Sequence, residues 1–407
     1  MSFYEIIEKY RDLDFAGALE RVSEGDVRRA LAKDVLGPED LLALLSPAAV
    51  PLLEGMARRG RELTLRNFGR TVQLFTPLYL ANFCTNRCVY CGFNTGNTIK
   101  RRQMDLDEVR REGAAIAATG LRQLLILTGD ARAKSSVDYI VSCLEVLREF
   151  FPSLSMEIYA MTTVEYARCV AAGADSVTMF QETYNEELYA VLHPGGPKRD
   201  YRNRLDAPER VLEAGMRGVG LSALYGLDDW RRDAFLTAMH ARWLQDRYPA
   251  AEVGFSLPRM RPHEGGWQPD HPPSDRDLVQ ILLAQRLFQP RSGITVSTRE
   301  APAFRENLLP LGVTRMSAGV STRVGGHTGG DSGEGCEPAE RDTPQFEVSD
   351  ERSVDEVAAM IRACGYQPVF ADWLPHGFAA GVEPGVEAAF PKSAGCGCGE
   401  CEAEGAR

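Results

Sequence analysis

Long apolar runs are missing from this chain. No window of 18 residues is apolar throughout, whereas a helix that crosses a bilayer needs about 20 such residues. The opening segment, MSFYEIIEKYRDLDF, is charged and lacks the apolar core of a secretory leader. A cytosolic protein with no membrane partner is the expectation. Positive charge is also short: 46 Lys and Arg stand against 57 Asp and Glu, a net charge of −11. A duplex nucleic-acid binder presents a basic face, so no nucleic-acid partner is expected. A small anionic ligand remains open, because local charge differs from net charge. Histidine is scarce, with six in 407 residues. There is no short internal repeat.

Apolar residues make up 44% of the chain, enough for a large core. Length alone suggests two or three domains, but α/β barrels reach about 250 residues as one unit. Residues 1–70 read as charged, amphipathic helices that cap or wrap the remainder of the chain. From residue 71 the pattern alternates. Eight strand-like runs occupy 72–83, 123–128, 154–161, 176–180, 219–225, 252–257, 293–297 and 314–319. Helical patterns at 105–119, 136–150, 163–173, 207–217, 229–247, 275–288 and 301–309 fit between them. Asp105 with Glu108, Pro208, and Ser274 with Asp275 and Asp277 mark helix starts. Gly120, Gly173 and Gly218 mark helix ends. This predicts an α/β fold, a (β/α)8 TIM-type barrel or an open relative of it, over 71–320. Residues 321–385 form a C-terminal extension, with a last helix at 353–363, and 386–407 a Cys-containing disordered tail. The connections 181–206 and 320–346 are long, and long loops on a barrel rim usually carry function.

Ten cysteines are present. In a reducing compartment, clustered cysteines are metal ligands more often than disulfides. Cys143, Cys169 and Cys364 stand alone in helical patterns and read as small buried apolar residues. Cys84, Cys88 and Cys91 have the spacing C-x3-C-x2-C and begin where the first strand ends. Three thiolates on one loop can hold three irons of a 4Fe–4S cubane and leave the fourth iron open. An open position separates a catalytic centre from a closed structural one. S-adenosylmethionine can chelate there, and a low-potential electron then breaks its sulfonium bond. The alternative is structural zinc, which wants a fourth ligand. No Cys or His close in sequence supplies it, and His193 is the nearest histidine. Cys396, Cys398 and Cys401 in the tail read as a flexible end or a site of transient metal or sulfur binding.

Residues just after each barrel strand face a common mouth. In order these are Thr128-Gly129-Asp130, Glu157 with Tyr159, Gln181-Glu182-Thr183-Tyr184, Arg259 with Arg261, Ser297-Thr298-Arg299-Glu300, and Ser317 with Ser321. Gly129 would let backbone approach a ligand. Glu157 reads equally as a substrate contact or as half of a buried ion pair. Ser297 and Arg299 share a strand face, and an Arg fork binds a carboxylate in bidentate fashion. Their alternative is a surface salt bridge from Arg299 to Glu300 or Glu306.

The cysteine triad, with aromatic Tyr90 before its last member, resembles the signature of the radical S-adenosylmethionine superfamily. CTNRCVYCGF, IKRRQMDLDEVRREGAAI, LLILTGD, MFQETYNEELY, GPKRDYRNRLDAPERVLEAGMRGVGLSALYGLDDWRRDAF, FSLPRMRP, VSTRE, MSAGVST, QFEVSDERS and QPVFADW run in one order over residues 65–375. Together they resemble the 2-iminoacetate synthase family, the tyrosine lyases of thiamine biosynthesis. The resemblance implies a full barrel with additions at both ends. It implies cleavage of L-tyrosine between Cα and Cβ to 2-iminoacetate and p-cresol, with S-adenosylmethionine ending as methionine and 5′-deoxyadenosine. A deoxyadenosyl radical would take hydrogen from the substrate nitrogen. A thiazole synthase subunit as partner and a flavodoxin or ferredoxin as reductant are implied too. Carried over by motif, Cys84, Cys88 and Cys91 hold the cluster. Tyr90, Gly129, Asp130, Gln181, Glu182 and Arg204 lie toward the cofactor. Asp130 stands where the family pattern usually has Glu. Ser297 and Arg299, with Glu157, contact the substrate. Related lyases, a hydrogenase-maturase-like tyrosine lyase or a tryptophan lyase, are the alternative activities.

Overall fold

The computed structural model describes residues 2–263, 267–269, 272–328 and 345–370. Cys336, the rest of the 329–344 segment and the tail cysteines lie outside the described residues.

Among the described residues, nine parallel strands form one sheet: β1 (Thr71–Ala81), β2 (Gln123–Thr128), β3 (Ser153–Glu157), β4 (Ala174–Glu182), β5 (Gly218–Ala223), β6 (Glu252–Ser256), β7 (Ile294–Val296), β8 (Arg315–Ser317) and β9 (Gln367–Val369). The first eight close on themselves, because β1 pairs with β2 on one side and β8 on the other. Strand partners followed around the circuit return to β1 about eight residues lower, the stagger of a (β/α)8 barrel. β9 pairs with the first residues of β1, Thr71 against Gln367.

The strands read as near-continuous apolar runs because both faces are covered. In β2, Leu124 and Ile126 are buried under the outer helices, while Gln123, Leu125 and Leu127 face the lumen. Helices predicted between strands occur where expected, for example Leu106–Ala118 and Asp275–Phe288. Asp105 with Glu108, and Ser274 with Asp277, form capping boxes. The N-terminal helices Pro38–Leu45 and Leu53–Phe68 pack on Asp275–Phe288. There Gln280 donates to the Leu44 and Ser46 carbonyls at 2.9 and 2.8 Å.

Two readings need correction, and one long connection gains structure. The run 154–161 is a strand only to Glu157; Ile158 and Tyr159 are apolar because they are buried beside the pocket. The connection 181–206 is ordered, with helices Glu186–Leu192 and Tyr201–Leu205 and a 3-10 turn between them. Gly218 does not end a helix: it opens β5, and Gly215, with φ +87°, makes the turn.

Candidate active site

The loop after β1 carries the three cysteines. Cys84, Cys88 and Cys91 line one cavity with Thr128, Gly129, Asp130, Glu157, Glu182, Lys198, Arg204 and Arg299. Arg101 fastens this loop, its guanidinium donating to the carbonyls of Asn82 (2.7 Å), Phe93 (2.8 Å) and Asn94 (2.7 Å). A second strap comes from HPGGPKRD. The Arg87 N–H donates to the Gly195 carbonyl (3.0 Å) and the Lys198 N–H to the Asn86 side chain (2.9 Å).

Burial pushes the Cys88 thiol up to about 12, and Lys198 pulls weakly the other way. Cys91 is also raised by burial. Such thiols stay protonated until a metal displaces the proton. Among the described residues, no three Cys, His, Asp or Glu side chains converge on a point that would hold one ion. That is poor for zinc but suits a cubane, whose thiolates bind separate irons. His193 does reach the loop in space, yet both its ring nitrogens are engaged. Nε2 lies 2.5 Å from the Tyr90 hydroxyl and Nδ1 2.7 Å from the Tyr189 carbonyl.

The walls fit an amino-acid-like cofactor beside the thiols. A Cβ on Gly129 would lie 2.3 Å from the Phe83 carbonyl oxygen and 3.2 Å from the Cys84 Cβ. Only glycine fits that crossing of two loops. Asp130 accepts from the Asn86 amide at 2.9 Å, while its other carboxylate oxygen is buried without a partner among the described residues. The Thr128 hydroxyl is buried and unpartnered as well. A buried acceptor left open beside a metal-ligating loop suits an ammonium group.

Glu182 has φ +72°, the single non-glycine residue with positive φ among those described. The register of β4 against β5 shifts there. The strained backbone aims its carboxylate at Lys198 Nζ (2.6 Å) and Arg204 Nη2 (3.2 Å). Burial opposes the charge, but Lys198 and then Arg204 outweigh it and hold Glu182 below the ordinary carboxylate range. Gln181 is not brought to the cavity: Phe180 and Glu182 line it, and the strand alternation turns Gln181 away, its amide nitrogen buried without a partner. The sequence motifs did not single out Lys198. Its signal was its place in the GPKRD segment, just after two glycines.

A second cavity lies in the barrel lumen. It shares Glu157, Phe180, Arg299 and Phe346 with the first. Ser297 and Arg299 both line it. Among the described residues Arg299 makes no ion pair: Glu300 pairs with Arg259 and Arg261 instead. The guanidinium lies 3.4 Å from the Phe346 ring centroid. Phe346 is positioned by the turn after it, where Ser349 and Asp350 N–H groups donate to the Thr298 carbonyl. Asp350 is itself locked by the buried Arg305. Burial pushes Glu157 up to about 7, against the pull of Arg299. Glu157 also forms no ion pair among the described residues, so the alternative of a buried ion pair is not realised there. Elsewhere, Cys143 and Cys169 are buried as expected, but Cys364 is half-exposed at a helix C-cap, 3.8 Å from Glu306.

Known proteins bear on this geometry. The model of the radical SAM superfamily matches residues 78–239, and that of the Biotin and Thiamin Synthesis associated domain matches 256–367. The 2-iminoacetate synthase of Escherichia coli is 41% identical over 90% of this chain and 96% of its own length. This chain belongs to the 2-iminoacetate synthase family. The Salmonella typhimurium member is 39% identical over the same shares. Among solved structures, the [FeFe]-hydrogenase maturase HydG superposes with a TM-score of 0.81 at 30% identity, covering 88% of this chain and 80% of that one. The chain is therefore a radical SAM lyase. Gly129→Ala is expected to displace the Cys84 backbone and cut the iron and sulfide bound after anaerobic reconstitution by more than half. Metal content equal to the parent protein would show that the crossing tolerates a Cβ.

Proposed function

We propose that this enzyme cleaves L-tyrosine between Cα and Cβ to 2-iminoacetate and p-cresol. The observation that carries the reading is Arg299, a half-buried guanidinium with no carboxylate partner among the described residues, lining both the thiol-lined cavity and the lumen. A cation held in a cavity wall without an ion-pair partner is poorly compensated, and a substrate carboxylate would supply the missing charge in bidentate form.

Cys84, Cys88 and Cys91 would hold a 4Fe–4S cluster that, with S-adenosylmethionine bound, supplies a 5′-deoxyadenosyl radical. The chain's own residues position the reactants. Asp130 and the backbone at Gly129 would take the cofactor's ammonium group. The Lys198–Glu182–Arg204 cluster stiffens the wall beside it. Ser297 and Arg299 would clamp the tyrosine carboxylate, which turns the amino group toward Glu157 and the thiol-lined cavity. Glu157 would take a proton from the substrate ammonium, leaving a neutral nitrogen. Phe346 stands at the junction of the two cavities. Orientation of this kind is a protein's main contribution to cofactor chemistry. We further propose a thiazole synthase partner for the imine, and a flavodoxin or ferredoxin as electron donor in the cytosol.

The test is a product assay. The reconstituted, reduced enzyme receives S-adenosylmethionine with L-tyrosine, L-tryptophan or neither. p-Cresol from tyrosine in step with 5′-deoxyadenosine is expected. Deoxyadenosine without p-cresol would overturn the substrate assignment.

The Glu157 role predicts a pH dependence. Arg299, Glu182, Arg204 and Lys198 surround this carboxyl, and burial raises its pKa to about 7. Below that pH it is neutral and cannot accept the proton. kcat/KM for tyrosine should therefore fall up to about tenfold per unit as pH drops below about 7. Glu157→Gln should lower the plateau and remove this acid limb. A limb unchanged in the variant would assign it to another group.

A further inference from the structure

Tyrosine differs from phenylalanine by one hydroxyl, so the lumen needs a polar group where the phenol ends. We infer that Gln123 is that group, the residue that recognises the phenol oxygen. The inference rests on the reading of tyrosine as substrate.

Three observations support it. Gln123 is 4% exposed, lines the lumen, and its amide nitrogen has no hydrogen-bond partner among the described residues. Its polar neighbours are occupied. Ser153 donates to Asp175 at 2.7 Å, Ser155 to the Leu124 carbonyl at 3.2 Å, and Gln73 accepts from Arg315 at 3.0 Å. Gln123 thus keeps a free amide in a buried wall, a costly arrangement unless a ligand completes it.

The distance also fits. Val296 of β7 pairs with Met316 of β8, Ser317 pairs with Phe75 of β1, and Thr76 pairs with Leu124 of β2. Continued by one residue at each end, this rung runs from Ser297 to Gln123. Because the barrel is staggered, three steps along a rung descend toward the N-terminal end. With strands about 4.8 Å apart and tilted about 36°, the drop is about 8 Å. That is comparable to the length of tyrosine from carboxylate to phenol oxygen. A substrate clamped by Ser297 and Arg299 at the rim would reach Gln123 with its hydroxyl.

Between the two ends the wall carries apolar side chains among serines and threonines. Phe75, Leu125 and Phe180 line the same cavity and would hold the ring by its faces and edges. The amide suits a phenol in either orientation, since nitrogen donates to the oxygen and the amide oxygen accepts its proton. A site built this way rejects the analogue that lacks the hydroxyl, because the amide is then left unpaired.

The test uses the reconstituted holoenzyme and Gln123→Met, which keeps the length and loses both polar atoms. Calorimetric titration should show tyrosine binding weakened about 10- to 100-fold, with phenylalanine binding unchanged or tighter. The ratio of p-cresol to 5′-deoxyadenosine should fall, while iron content and substrate-free cleavage of S-adenosylmethionine stay at the parent level. Gln123→Glu, which keeps one acceptor, should retain an intermediate preference for tyrosine, and it provides the reading if the Met variant does not fold. Tyrosine affinity and the tyrosine-to-phenylalanine ratio unchanged in the folded variant would overturn the inference. Failure of the parent enzyme to make p-cresol would instead overturn the substrate reading, so the two failures are distinguishable.

Discussion

Replacing Arg299 with glutamine is expected to lower kcat/KM for p-cresol formation by about 10²- to 10³-fold while 5′-deoxyadenosine still forms. The magnitude follows from the burial of the pair it would make. Removing one member of a buried, hydrogen-bonded charge pair costs about 2–5 kcal/mol, and each 1.4 kcal/mol is tenfold. Here the second member is the substrate carboxylate, so the loss appears in substrate use rather than in folding. The stability of the free protein should change little, since the half-buried guanidinium makes no ion pair among the described residues. Glutamine keeps donors but loses the charge and the fork, so rescue by lysine should be poor. Arg299 also stacks on Phe346, and its loss loosens the closure between the two cavities. Deoxyadenosine formation should then become uncoupled from substrate. The measurement is the ratio of the two products over time by mass spectrometry. Loss of both products together, with iron content intact, would place Arg299 on the cofactor instead.

Cys88→Ala gives the complementary result: both products fall to background. Cys88 is 5% exposed, among Tyr90, Leu192, Leu224 and Leu227, so no solvent ligand reaches its position. His193, the side chain nearest to substituting, is held by Tyr90 and Tyr189 and is kept neutral by burial, its pKa lowered to about 3. Two remaining thiols cannot hold three irons. Iron and sulfide per chain should drop with activity, while the melting temperature of the metal-free protein stays near the parent value, because alanine fills the same apolar niche with a small void. Full iron content with no activity would show that another residue completes the cluster.

Much of the fold was readable in advance, since each barrel strand keeps apolar residues on the face that packs under the helices, as Leu124 and Ile126 do in β2. Helix starts were readable because capping is a local interaction: Ser274 with Asp277 needs no knowledge of the rest of the chain. The strand end at Glu157 was not readable, because Ile158 and Tyr159 continue the apolar run for a tertiary reason. Among site residues, local motifs led to Cys84, Cys88, Cys91, Gly129 and Arg299. Gln181 shares the family's cofactor-side motif with Glu182 and Arg204, but alternation puts adjacent strand residues on opposite faces. Lys198 and Phe346 reach the site from connections far along the chain, and no local spacing marks them.

The sequence by itself thus determined the barrel, the cysteine loop and the chemistry that such a loop can serve, because periodicity, capping and ligand spacing act over a few residues. Only the tertiary structure decided which charges are paired. It left Arg299 and Glu157 without ion-pair partners among the described residues while giving Glu300 to Arg259, and it bent Glu182 toward Lys198 and Arg204. It also set the depth of the lumen, through a stagger between strands that accumulates around the closed sheet and that no single segment encodes.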